Sequence, residues 1–99
     1  MEGECTAIIR FSLLNVERDA LIAKMNAVLP ALERQEGYLD ARVLVREGGT
    51  EVINILRWRD RSCHERCQAS PEMMAAGMSL LGLIQSGGVN MSVEVYESP

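Results

Sequence analysis

The chain has 99 residues, 47% of them hydrophobic, and a net charge of −4. That is enough for one globular domain spanning residues 1–99, and too apolar for disorder. One lysine (Lys24) and nine scattered arginines give no cationic footprint for nucleic acid, and no run of 18 apolar residues is present to span a membrane. The N-terminal MEGEC lacks the basic-then-apolar layout of a secretory leader, and an odd count of three cysteines suits a reduced, cytoplasmic protein.

In chain order, CTAIIRFSLL (5–14) is rich in β-branched residues and predicts a strand. Asn15 is the expected cap of a helix whose apolar face is Leu21, Ile22, Met25, Val28, Leu29 and Leu32, at spacings of three and four. Pro30 should kink that helix or loosen its last turn, and Gly37 should end it as a C-cap. YLDARVLVRE (38–47) alternates, with Leu39, Ala41, Val43 and Val45 on one face. Gly48-Gly49 then makes a two-residue hairpin turn into the strand TEVINILRWR (50–59).

Asp60 caps a short helix, Ser70-Pro71 opens another, and the helical pattern of 73–84 is weakened by Gly77 and Gly82. After Gly87-Gly88, VNMSVEVYE (89–97) alternates again, with Val89, Met91, Val93 and Val95 on one face. The order β-α-β-β-α-β, with its second helical part divided, predicts an α+β, ferredoxin-like fold: a four-stranded antiparallel sheet with helices on one face. Ile8, Leu14, Ile53 and Ile55 fall on the other face. An apolar sheet face left in water is an association liability, so a second subunit is expected to cover it.

The stretch EGYLDARVLVREGGTEVINILRWRDRSCHE (36–65), with ASPEMM (69–74) after it, resembles the antibiotic biosynthesis monooxygenase family of dimeric α+β barrel proteins. The features that carry the resemblance are Gly37 before strand two, the strand VINILRW, and above all its asparagine-x-x-x-tryptophan. The resemblance implies a homodimer packed sheet to sheet, with a pocket in each subunit between sheet and helices. Some members oxidise phenolic, polyketide-derived rings with dioxygen and no metal or flavin; others degrade haem or act on small signalling molecules.

Asn54 and Trp58 match the family pair, and four residues apart on a strand they share a face. Asn54 is suited to hydrogen-bond a developing anion, and Trp58 to supply an aromatic wall and an N–H donor. The plain alternative makes Trp58 a core anchor and Asn54 a satisfied buried amide. Ile9 stands where several oxygenases and haem-degrading members carry asparagine, and Gln68 where the haem-degrading members carry histidine. Both departures argue against haem degradation.

SCHERC (62–67) holds the chain's one histidine and two of its three cysteines. A structural zinc site wants four ligands, and only Cys5 is left to join Cys63, His64 and Cys67, so no metal is expected. His64, six residues past Trp58, is a candidate general base, since an imidazole titrates near neutral pH; the alternative is a solvated histidine on the helix surface. Ile9, Phe11, Met73, Met74 and Met78 are expected to line the substrate pocket.

These features point to a monooxygenase without cofactor that oxidises a small phenolic or polyketide-type aromatic. No Gly-rich phosphate loop is present to hold a dinucleotide. The alternatives are a non-enzymatic dimeric module that binds a small apolar molecule, and an isomerase or cyclase of the same fold.

Overall fold

A computed structural model of the chain describes residues 3–99; Met1 and Glu2, which begin the acidic N-terminal stretch, lie outside the described residues. Strand β1 (Cys5–Leu13) leads to helix α1 (Arg18–Glu33), then to β2 (Tyr38–Val45) and β3 (Glu51–Trp58). Three helices follow, α2 (Arg61–Gln68), α3 (Pro71–Ala76) and α4 (Met78–Gln85), and β4 (Val89–Glu97) ends the order. The strands form one antiparallel sheet in the order β2-β3-β1-β4. This is the four-stranded α+β, ferredoxin-like arrangement, with helices on one face.

Several local expectations are corrected. Helix α1 is capped at Glu17, not Asn15, because the backbone N–H groups of Leu14 and Asn15 both donate to Gly88 O (3.0 Å each) and hold the chain against the start of β4. Leu14 therefore lies one residue past the end of β1 and is exposed. The C-cap of α1 is Arg34, while Gly37, at φ +80°, lies three residues further on and opens β2. Pro30 stays inside α1 and leaves the Asn26 carbonyl without its i+4 donor.

The hairpin between β2 and β3 is a four-residue loop, not a two-residue one. Arg46 N–H bonds Glu51 O (2.9 Å), Gly49 N–H bonds Arg46 O (2.8 Å), and Gly48 and Gly49 both take positive φ. In β2 a register shift lies between Tyr38 and Asp40, so Tyr38, not Leu39, stands opposite Trp58, and Leu39 is exposed. Gly77 divides the expected 73–84 helix by serving as C-cap of α3 and N-cap of α4.

The cross-strand rows fix the two faces of the sheet. On the helix side one row runs Val43–Asn54–Ile9–Val93 and the next Val45–Val52–Phe11–Met91. On the outer side Leu44–Ile53–Arg10–Ser92 and Arg42–Ile55–Ile8–Glu94 alternate apolar and charged groups. Arg10 pairs there with Glu51 and Glu94, and Arg57 with Glu4 and Asp40.

The helices cover the sheet unevenly. Val52, Leu56 and Trp58 of β3 are buried, whereas Met91, Val93 and Val95 on the edge strand β4 are 42–45% exposed. The buried core separates into two clusters. One gathers Cys5, Ala7, Leu32, Leu56, Trp58, Cys63 and Cys67, and the other Phe11, Leu21, Met25, Val52 and Val89.

Gly37 is the tightest backbone position near the first cluster. A Cβ placed there would lie 2.3 Å from Cys63 Sγ, and the positive φ disfavours any side chain. Gly37→Ala is therefore expected to destabilise the fold by about 2–4 kcal/mol, combining left-handed backbone strain with overpacking. Gly48→Ala, where nothing lies within 4 Å, carries only the backbone part. Urea denaturation of both variants tests this; equal midpoints would show that Gly37 is not held by its contact with Cys63.

Candidate functional site

Between the two core clusters the sheet and helices leave a cavity of about 600 Å³. Its floor is the row Val43–Asn54–Ile9–Val93 with Phe11, Leu56 and Trp58 beside it. Its roof comes from Met25 and Leu29 of α1, His64 and Cys67 of α2, Met73 of α3 and Leu80 of α4. Seven of the eight expected site residues line it: Ile9, Phe11, Asn54, Trp58, His64, Met73 and Met74. Met78 does not. It is 69% exposed and, together with Met74, borders a second depression formed by α3 and α4.

The polar atoms of this wall are unusual. Among the described residues, four buried side-chain nitrogen and oxygen atoms have no protein partner: Asn54 Oδ1, Trp58 Nε1, His64 Nδ1 and His64 Nε2. The three residues that carry them line the cavity. An unpaired buried polar group costs about 1–3 kcal/mol, so such groups persist where a ligand or water completes them. Asn54 is orphaned by its neighbours in the sheet, since its cross-strand partners Ile9 and Val43 offer no hydrogen bond. The plain alternative of a satisfied amide therefore does not describe it.

Trp58 is fully buried and is also a core anchor, with Tyr38 edge-on to it at 6.0 Å between ring centroids. Its indole lies 6.1 Å from the His64 ring. His64 is 6% exposed, so it is not a solvated surface histidine.

The lower structure of α2 holds His64 in place. Asp60 Oδ1 accepts from Cys63 N–H (3.0 Å) and Ser62 Oγ–H (2.8 Å), which caps the helix and keeps the Asp60 carboxyl well below the usual carboxylate range. Cys63, one residue before His64, packs on Gly37, whose carbonyl accepts from Arg59 N–H at 2.7 Å. Cys63 Sγ also accepts from Arg59 Nη2 (3.2 Å) and Arg66 Nη2 (3.3 Å) on its outer side. Cys63 thus faces away from the cavity while His64 faces into it. Among the described residues no group of three His, Cys, Asp or Glu side chains is arranged to hold a metal ion.

Burial pushes the His64 pKa below its ordinary value; Glu65 pulls it back up and Arg61 pulls it further down. Burial raises the Cys67 thiol. At neutral pH the imidazole is neutral and able to accept a proton. Asn54 and Trp58 lie four residues apart on β3, roughly 13 Å between Cα atoms.

Sequence reasoning missed the contribution of α1 (Met25, Asn26, Leu29) and of β4 (Met91, Val93). Their apolar periodicity had the right face but gave no means of telling cavity wall from filled core.

The profile of the antibiotic biosynthesis monooxygenase family matches residues 5–77, from β1 to the end of α3. The chain belongs to this family. Solved structures of similar shape include SnoaB, a cofactor-independent oxygenase from Streptomyces nogalater, at TM-score 0.82 and 16% identity, covering 98% of this chain and 94% of that one. Rv0793 from Mycobacterium tuberculosis follows at TM-score 0.74 and 21% identity, covering 98% and 95%. PA3566 from Pseudomonas aeruginosa has TM-score 0.75 and 16% identity, covering 100% and 97%. At these identities the likeness establishes the fold alone. No curated protein matches the chain.

The lowered His64 pKa has a consequence for stability. A folded-state pKa below the unfolded value means that the unfolded chain binds the proton more tightly. Full stability is then present above the ordinary imidazole pKa of about 6.5 and is lost as pH falls through the lower folded value. His64→Phe should flatten this acid-side decline in a series of thermal melts from neutral pH downwards. A variant that declines in parallel with the native protein would show that His64 is not buried in its neutral form.

Proposed function

We propose that this member of the family is a monooxygenase working without cofactor on a small phenolic, polyketide-type aromatic, as a homodimer in the cytoplasm. The observation that carries the proposal is the set of four unpaired buried polar atoms of Asn54, Trp58 and His64, three residues that line a mostly apolar cavity. The name of SnoaB as a cofactor-independent oxygenase, on the same fold, supports the choice of chemistry.

In this scheme neutral His64 accepts a proton from the activated ring. The Trp58 N–H, and the Asn54 amide turned to present its NH₂, hydrogen-bond the anion that forms. The anion passes one electron to dioxygen, and the radical pair recombines to a peroxide. His64 returns the first proton to the peroxide; the second ring C–H proton is then lost as the O–O bond breaks and joins the leaving hydroxide, so that a ring CH₂ and O₂ become C=O and H₂O.

The outer sheet face, with Ile8, Ile53, Ile55 and Leu44 among paired charges, is the surface proposed to meet a second copy. The buried thiols of Cys63 and Cys67 favour a reducing compartment, and no helix among the described residues is long and apolar enough to cross a membrane.

Oxygen uptake with a panel of anthrones and naphthols, with no flavin, nicotinamide or metal added, tests the chemistry. Asn54→Ala is expected to lower turnover by about 10²-fold or more while binding changes less, since the lost bond strengthens as charge develops. Trp58→Phe should slow the reaction less than Trp58→Ala, and His64→Ala should remove the acid-side limb of the pH–rate profile, where the native imidazole becomes protonated. Binding without oxygen uptake above the uncatalysed rate would replace the oxygenase with a non-enzymatic binding module, for which the apolar Ile9 beside Asn54 is the favouring observation. Independently, changing Ile53 and Ile55 together to glutamate should give monomers in light scattering; a native protein that is already monomeric would refute the dimer.

A further inference from the structure

Residues 73–93, which make most of α3, all of α4 and the first part of β4, include no Asp, Glu, Lys or Arg. No ion pair therefore ties this stretch to the rest of the fold. Full burial does not take the place of ion pairs. Helix α1 buries Leu21, Met25, Ala31 and Leu32, and α2 buries Cys63, His64 and Cys67, whereas neither α3 nor α4 has a buried residue. Leu80, Leu83 and Ile84 of α4 pack against the Phe11 cluster but stay partly exposed. Among the described residues, one side-chain hydrogen bond joins α4 to another element, from Lys24 Nζ on α1 to Ser79 Oγ.

The chain on either side of α4 is held more firmly. Before it, Glu72 at the start of α3 pairs with Arg34 beyond α1. After it, Gly88 O accepts from the N–H groups of Leu14 and Asn15, and a Cβ on Gly88 would lie 2.4 Å from Val16 Cγ2. Between these two anchors, Gly77 adjoins one end of α4 and Gly87, at φ +79°, the other. A segment with fixed flanks, a glycine inside each and few buried contacts between them is able to open without the rest of the fold.

Opening here bears directly on the cavity. Gly77, Leu80 and Leu81 are part of its wall. The wall is also most exposed around them, with Met74 at 65%, Leu81 at 48%, Met91 at 45% and Val93 at 42%.

We propose that α4 is a gate: it leaves its packing by local unwinding between Gly77 and Gly87, admits a ligand to the cavity and refolds over it. An eight-residue helix with Gly82 inside has no stability apart from its packing, so leaving and unwinding are one event. Lys24 is the latch of the closed state. The gate goes beyond the reaction proposed above and serves a binding module as well as an oxygenase.

Native-state hydrogen exchange in low urea measures the opening. The amides of α4 are expected to exchange with almost no dependence on urea, and those of α1 and α2 only in the steeply urea-dependent global unfolding. Lys24→Met, which keeps the aliphatic stem and removes the donor, should speed α4 exchange about fivefold. Gly82→Ala, where an added Cβ meets nothing within 4 Å, should slow it about fivefold through helix propensity.

Entry is read from Trp58, the chain's only tryptophan, which is fully buried and lines the cavity. The probe is 1-nitronaphthalene, an uncharged, non-fluorescent aromatic quencher, mixed with the protein in stopped flow. Its association and dissociation rates should both rise in Lys24→Met and both fall in Gly82→Ala, by the factor seen in exchange, with Kd little changed. A purely structural role would instead shift Kd through dissociation alone, and that result overturns the gate. So do α4 amides that exchange only with global unfolding, and variants whose quenching rates match those of the native protein. A native protein that the probe does not quench overturns it as well, since the helix would then open without admitting a ligand.

Discussion

A 99-residue chain has little core to spare, and this one places a cavity of about 600 Å³ through the middle of it. What remains is divided into a cluster around Trp58 and a cluster around Phe11, and both are built on the paired central strands β1 and β3. Cys5 and Ala7 with Leu56 and Trp58 serve the first; Phe11 with Val52 serves the second. Ile9 packs against both, and its cross-strand partner is Asn54. The ladder between β1 and β3 thus ties the two halves together across the cavity floor. The flanking strands cannot substitute for it, because the inward side chains of β2 and β4 are partly open to solvent.

The position of His64 follows from a chain of short-range constraints at the other end of β3. Asp60 caps α2 through Cys63 N–H, the side chain of Cys63 fills the space that glycine leaves at position 37, and Gly37 O accepts from Arg59 N–H. With Cys63 turned outward against Gly37, the next residue turns inward against Trp58. The register shift between Tyr38 and Asp40 contributes as well, since it brings Tyr38 edge-on to the same indole. A histidine on an eight-residue helix would otherwise have no fixed direction.

Charge is sorted with the same consistency. The outer sheet face carries ion pairs among isoleucines, and the helix exteriors carry the remaining arginines and carboxylates. These exposed pairs add little to stability one by one, since solvent screens them. Their effect is instead on what the interior lacks. An apolar, uncharged cavity with a few neutral hydrogen-bonding groups makes each of those groups more consequential, because a bond to a developing anion is stronger where water is excluded.

Alternation of period two and apolar spacings of three and four were enough, in the sequence alone, to determine the element order, the sheet and its helices, and the asparagine-x-x-x-tryptophan strand at its centre. They also put Ile9, Phe11, Asn54 and Trp58 on one face, because successive strand residues must point to opposite sides. Turn details were less legible: Asn15 and Gly37 look like helix caps, and only the bonds to Gly88 and the packing on Cys63 show why the helix stops and starts elsewhere. Whether His64 faced water or the cavity, whether Asn54 found a partner, and whether Met78 reached the cavity were all decided by tertiary structure. The physical reason is the same in each case. Periodicity reports which side of an element is apolar, but whether that side meets a neighbour, a void or solvent depends on contacts between elements far apart in the chain.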